Sequence, residues 1–125
     1  MGMALEIRLR EERGWVRVTL SGKLSAEAGK GQYQRIAGLT QAKGINRVLL
    51  DTRAVTGRES IPEIFDFMLR TYPAEPGGRR TACLDLPEHH VSARFFEHLM
   101  QNNGRDFRLF FDEQEALAWL NSGQP

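Results

Sequence analysis

Three histidines, His89, His90 and His98, lie in the chain close to Cys83, Asp85, Glu88 and Glu97. Imidazole, thiolate and carboxylate are the usual ligands of zinc and related ions, so metal chemistry is the first possibility to weigh. Ligation from a helix needs side chains one turn apart on one face. No two of these histidines are four residues apart, and His90 to His98 spans more than two turns. Asp85-Leu-Pro-Glu-His-His reads instead as a strand end, a turn and a polar helix start. No metal is expected.

Other chemistry fares no better. Gly29-Lys30-Gly31 has the flavour of a phosphate loop, but no earlier glycine stands at the required spacing and no Ser or Thr follows the lysine. Ser25, Ser60 and Ser92 all precede or begin helices, and none occupies the sharp G-x-S-x-G turn of a nucleophile. The paired carboxylates Glu11-Glu12 fall in a turn. Cys83, the only cysteine, sits in the apolar run TACLDL, where a small buried hydrophobe is the expected role. No cofactor is called for, and no residue set supports catalysis.

The remaining stretch is VLLDTRAVTGRESIPEIFDF, Val48 to Phe67. A strand ending at Asp51 would cross a polar loop and restart as a helix at Ser60. Ser60-Ile61-Pro62-Glu63 has the form of a capping box, in which serine accepts from free amides of the first turn and glutamate reaches back. Proline is tolerated there because its missing N–H has no helical partner.

These residues must be positioned by elements that periodicity reveals. Leu5, Ile7 and Leu9 alternate with charge, as do Val16, Val18 and Leu20, giving two strands joined by the turn Glu11–Gly14. Tyr33, Ile36, Ala37 and Thr40 follow helical spacing up to a stop at Lys43-Gly44, with Gly29 and Gly31 weakening the first turns. Arg47–Asp51 is a continuous apolar strand, suited to burial on both faces. A second helix spans Ile61 to about Tyr72, with Ile61, Ile64, Phe65, Met68 and Tyr72 inward, and a loop of Pro73, Pro76, Gly77 and Gly78 follows. Thr81–Leu86 is a strand. Val91, Phe95 and Leu99, with Phe96 and Met100, mark a third helix ended by Asn103-Gly104. Phe107–Phe111 is the last strand, and Asp112 with Glu115 caps a final helix carrying Ala116, Trp119 and Leu120. Gly123–Pro125 is read as a frayed end. The order ββαβαβαβα predicts an α/β fold with a mixed five-stranded sheet and four helices.

Composition bounds the rest. Residues 1–125 are expected to form one domain, with an ordered core over about 4–121. A net charge of +1 with mixed signs announces no basic face, so nucleic acid is not an expected partner. No apolar run reaches a membrane span, and the N-terminus lacks a signal-peptide core and a myristoylation site, Glu6 standing where Ser or Thr is needed. A cytoplasmic location is the expectation.

The arrangement from Asp51 to Ser60 resembles the STAS domain, the fold of SpoIIAA-like anti-sigma factor antagonists. There a strand ends in aspartate, a loop follows, and a D-S-S-G turn containing the phosphorylation switch opens a helix. Aligned from Asp51, Glu59 falls on the motif aspartate and Ser60 on its first serine, with Val55-Thr56 in the loop; Ile61 and Pro62 replace the second serine and the glycine. Phe96-Glu97, Asn103-Gly104, Arg108-Leu109-Phe110 and Glu115–Leu120 are similar to small bacterial STAS-related proteins grouped with CRAL-TRIO lipid-transfer domains. The resemblance spans about residues 4–121. It implies a non-catalytic regulatory module that binds a protein partner or anionic ligand through Asp51, Thr56, Gly57, Arg58, Glu59 and Ser60, at the carboxyl edge where open α/β sheets bind. The alternative is a small apolar ligand or lipid, and after it a cryptic enzyme. Phe67, Leu69, Phe95 and Phe96 exceed what single packed helix faces need, so a pocket or a homodimer surface is expected there.

Overall fold

The computed structural model describes residues 5–71 and 78–122. Strands β1 (Glu6–Glu11), β2 (Val16–Lys23), β3 (Arg47–Thr56), β4 (Arg80–Leu84) and β5 (Asp106–Phe110) form one sheet in the order β1-β2-β3-β4-β5. β1 and β2 pair antiparallel, and every later pairing is parallel. The helices are α1 (Ala26–Lys43), α2 (Ile61–Thr71), α3 (His90–Asn102) and α4 (Glu113–Leu120). The ββαβαβαβα order and the mixed five-stranded sheet are as the periodicity predicts. Tyr72, Pro73, Pro76, Gly77 and Gly123–Pro125 lie outside the described residues.

Strand alternation sorts the core into two layers. Leu49, Ala82, Leu84 and Phe110 face α4 and pack on Ala116 and Leu120. The opposite face carries Val16, Val18 and Val48 beneath Ile36 of α1, and Cys83, Phe107 and Leu109 beneath Phe65, Met68, Ala93 and Met100 of α2 and α3. The central strand β3 is therefore apolar on both faces, which is why Val48-Leu49-Leu50 runs unbroken.

The starts of α1 and α4 follow cap chemistry. Ser25 accepts from the Ala28 N–H, and Asp112 from the Glu115 N–H. α1 forms in full despite its glycines, and Gly29 has a packing reason. A Cβ there would lie 2.3 Å from Ile64 Cδ1, so a larger residue would make the Ile64 side chain give way where α1 meets α2.

Beyond strand ends shifted by one or two residues, such as β4 ending at Leu84 rather than Leu86, two features differ from the sequence expectation. β3 does not stop at Asp51. Beyond Asp51 it leaves β4 and continues on the longer β2, pairing Ala54 with Ser21, Val55 with Gly22 and Thr56 with Lys23 after a register shift. Leu24 N–H donates to the Thr56 carbonyl at 2.8 Å. The polar TRAVT sequence hides this extension because only one neighbour and one face are covered there. The second difference is the phase of α3. Val91 is 73% exposed and Phe95 46%, whereas Ala93, Glu97 and Met100 face inward with Phe96 half-buried. Glu97 is turned in because its Oε2 accepts the Leu109 N–H of the edge strand β5 at 2.7 Å. A backbone donor that β4 does not satisfy outweighs the apolar stripe.

Candidate functional site

At the carboxyl ends of β3 and β4 the chain turns into helices through two short 3-10 segments, Arg58–Ser60 and Pro87–His89. Gly57 makes the first turn possible. Its φ is 68°, and a Cβ would meet the Leu24 carbonyl oxygen at 2.9 Å, so any other residue would be both strained and crowded.

The next residue, Arg58, folds back under the turn, and every guanidinium nitrogen donates. Nε reaches the Val55 carbonyl at 3.1 Å and Nη2 the Thr52 carbonyl at 2.6 Å. Nη1 and Nη2 grip the two Asp85 oxygens at 2.6 and 3.1 Å, and Nη1 also reaches Ser92 Oγ at 3.4 Å. Asp85 is only 1% exposed. It further accepts from Thr52 Oγ1 at 2.9 Å and the Leu86 N–H at 2.8 Å, and lies 2.8 Å from His89 Nδ1. Burial pushes the Asp85 carboxyl up, but the Arg58, His89 and Leu86 hydrogen bonds and the Arg58 charge outweigh it and hold it below its ordinary value. The site thus centres on a buried, bidentate ion pair joining β3, β4 and α3.

On the same face Cys83 lies 3.6 Å from Thr52 Oγ1, and burial pushes its thiol up to about 12. It stays a neutral thiol at physiological pH and serves as packing. His89 is drawn to Asp85 rather than to other histidines, and among the described residues no group of three or more His, Cys, Asp or Glu is placed to hold a metal.

Of the sequence-predicted edge residues, Thr56 and Glu59 are exposed, while Gly57 and Ser60 are half-buried around the Arg58 anchor. Asp51 is not part of this group. Strand alternation sends it to the α4 face, where Arg53 donates to it through its backbone N–H, Nε and Nη2 at 2.8–3.1 Å. Ser60 does not cap α2. It is the last residue of the 3-10 segment, and its hydroxyl makes no hydrogen bond among the described residues. The capping box fails because the 3-10 turn runs directly into α2, leaving no extended residue at the Ser60 position to act as a cap.

The four aromatic and aliphatic positions separate as well. Leu69 and Phe96 pack against the α2–α3 core, with Phe96 edge-on to Phe65 and Phe107. Phe67 is half-buried with Lys30 5.7 Å from its ring centre, and Phe95 faces outward. Only Phe96 of the four lines the cavity beneath α1, α2 and α3. Asp85, Thr52 and His89 were missed as a site. Their signal was an aspartate at the end of an apolar run, like Asp51 after VLL, with His89 four residues later.

A hairpin followed by parallel β-α units has counterparts among solved structures. An anti-sigma factor antagonist from Mycobacterium paratuberculosis is similar with a TM-score of 0.63 at 13% identity, over 94% of this chain and 94% of that one. An uncharacterised DUF3478-family protein with a SpoIIAA-like fold from Shewanella loihica PV-4 gives 0.61 at 19% identity, over 95% and 99%. This is the SpoIIAA-like fold of STAS domains. No protein-family model matches the sequence, and no curated protein matches it. In this STAS-like frame the turn from Thr56 to Ser60 leads from the third strand into the second helix, as the resemblance implies. Among the described residues no helix is long and apolar enough to cross a membrane.

Proposed function

We propose that this STAS-like chain is a regulatory module that works by binding a protein partner rather than by catalysis. The docking surface is the turn Thr56–Ser60 with the first turn of α2. The observation that carries this reading is the Arg58 anchor, whose nitrogens bind two backbone carbonyls of β3 and the buried Asp85. It fixes the shape of a turn that presents Thr56 and Glu59 outward. A surface ordered before contact spends less conformational entropy on association, as a recognition loop requires. The similarity in fold to an anti-sigma factor antagonist supports a protein as the partner.

Ser60 fits this reading as a modulating position. Its hydroxyl has no structural hydrogen bond to lose among the described residues, and it lies at the entry to α2, where helix-terminal N–H groups favour negative charge. Phosphorylation there would add charge beside Glu59 without dismantling the Arg58 anchor.

A photo-crosslinking residue at Glu59, expressed in the source cell, tests the reading. It is expected to trap one protein that the same probe at Gln34, exposed on α1, does not trap. Identical adducts from both positions would overturn it.

A further inference from the structure

β5 ends the sheet, so one side of its backbone has no strand beside it among the described residues. An open edge of this kind invites a further strand, above all from another copy of the same chain. The sequence here offers little resistance. Phe107-Arg108-Leu109-Phe110-Phe111 is rich in strand formers, carries one charge and contains no proline. At the other edge of the sheet, β1 instead alternates Glu6, Arg8 and Arg10 with its apolar residues.

Successive peptide groups of a strand point to opposite sides. The Phe110 carbonyl accepts the Asp85 N–H at the end of β4, at 3.0 Å, so the polar groups of Phe107 and Leu109 point to the open side. There α3 meets them. Gln101 Nε2 donates to the Phe107 carbonyl at 2.9 Å, and Glu97 Oε2 accepts the Leu109 N–H at 2.7 Å. Arg94 donates to Glu97 Oε1 at 2.9 Å and lies 5.6 Å from the centre of the Phe111 ring. Residues 94, 97 and 101 share one face of α3 and pass residues 111, 109 and 107 of the edge in turn. Polarity is matched at both bonds, donor to carbonyl and acceptor to N–H, the two contacts that one residue of a sixth, parallel strand would make.

Burial explains only part of this. Glu97 is buried and must answer the Leu109 N–H, but Gln101 is exposed, so water could serve the Phe107 carbonyl in its place. A side chain held there excludes a strand as well as satisfying a carbonyl. We propose that Glu97 and Gln101, steadied by Arg94, are an edge guard: they occupy the pairing positions of β5 and keep it from forming a continuous sheet with the β5 of a second copy. Another copy is the partner excluded because it brings an identical open edge, and two-fold pairing would let each edge satisfy the other. None of the three guard residues belongs to the Thr56–Ser60 turn, so the guard is independent of what binds there.

Sedimentation velocity over a wide range of concentration tests it. Glu97→Ala with Gln101→Ala is expected to turn monomer into dimer as concentration rises, with self-affinity at least about ten-fold above the parent, as two released hydrogen-bonding sites allow. Amide exchange separates this from the mere loss of a bond. The Leu109 N–H should exchange fast in the dilute variant and become protected as the dimer forms. Glu97→Gln keeps an acceptor for that N–H and should stay as monomeric as the parent. If the double variant does not fold, Gln101→Ala decides, since its side chain is exposed and its loss should still raise self-affinity about three-fold or more. A folded double variant no more associated than the parent, association that leaves Leu109 unprotected, or Glu97→Gln associating as strongly as the double variant would each overturn the assignment. So would a parent that already pairs through β5, or, where it is the deciding variant, a Gln101→Ala protein that matches the parent.

Discussion

Two aspartate–arginine pairs flank the end of β3, one on each face of the sheet. On the α4 face Asp51 pairs with Arg53, two residues along the same strand, and Arg53 is 43% exposed in its side chain. Its guanidinium also approaches Glu113, which Arg17 engages at 3.1 Å. On the other face Asp85 pairs with Arg58 across 27 residues of chain, and the Arg58 side chain is only 14% exposed. The chemistry is the same, but the consequences are not. A pair made by near neighbours in a strand forms wherever that strand forms, and its reach beyond the strand is the 3.7 Å approach of Arg53 to Glu113. A pair made by β4 and the turn before α2 exists only in the folded protein, and it fixes that turn. Both carboxylates are buried, so solvent separates the pairs through their arginines: screening weakens the half-exposed Arg53, while Arg58 is held almost wholly inside.

The largest expected effect follows. Arg58→Ala strands the buried Asp85 carboxylate and should lower unfolding free energy by about 3–5 kcal/mol, read from urea denaturation. Thr52, Leu86 and His89 remain as hydrogen-bond partners and keep the loss toward the lower figure. Replacing both charges, Arg58→Met with Asp85→Leu, should recover much of that stability while releasing the turn. The double variant would then fold yet fail to crosslink through Glu59. If Arg58→Ala costs no more than a surface substitution, the pair is not the anchor described.

Acid should expose the same asymmetry with a smaller effect. Asp85 is held below its ordinary value of 3.8, so the folded state binds its proton less readily than the unfolded chain does. Its contribution is complete above pH 3.8 and is lost as pH falls from there through the lower, folded value. Asp85→Asn should therefore be less stable than the parent at neutral pH and should approach it as the parent's carboxylate protonates. Stability curves that stay parallel down to the lowest measurable pH would show that Asp85 carries no such linkage.

Arg53→Ala comes next, with an expected loss of about 1–2 kcal/mol, because its half-exposed guanidinium is screened while the buried Asp51 carboxylate keeps the Arg53 backbone N–H. A loss approaching that of Arg58→Ala would erase the distinction between the faces.

How much of this was legible depends on which interactions periodicity can carry. The sheet was readable because alternation in β1 and β2 and the unbroken Val48–Leu50 run report burial directly. The Asp112 cap and the stop at Gly44 are likewise local, whereas Ser25, read only as preceding or beginning a helix, caps α1. The α3 phase was not readable, since Glu97 faces inward to serve a backbone N–H twelve residues away. Nor was the anchor. Arg58 and Asp85 each look like ordinary surface charge in sequence, and only the parallel register of β3 with β4, Asp51 opposite Leu84, brings Thr52, Arg58 and Asp85 to one place. The serine that did stand out at the sequence level proved to lack the role its motif suggested.

That serine gives the smallest expected effect and a clean test of where the turn is held. An N-cap serine replaced by alanine costs typically about 1 kcal/mol because a helix-terminal N–H loses its acceptor. Ser60 accepts no such bond; the backbone N–H of Ile61 returns instead to the Arg58 carbonyl, closing the 3-10 turn without any side chain. Ser60→Ala should then shift unfolding free energy by less than about 0.5 kcal/mol, as for a surface position without a specific partner. Ser60→Asp should be equally mild for folding, because the charge sits near a helix start, yet it places a second carboxylate beside Glu59 on the proposed docking surface. Stability and binding should therefore part company at this residue, whereas at Arg58 they fall together. A midpoint shift of cap size in Ser60→Ala would mean that the serine, and not the arginine beneath it, holds the entry to α2.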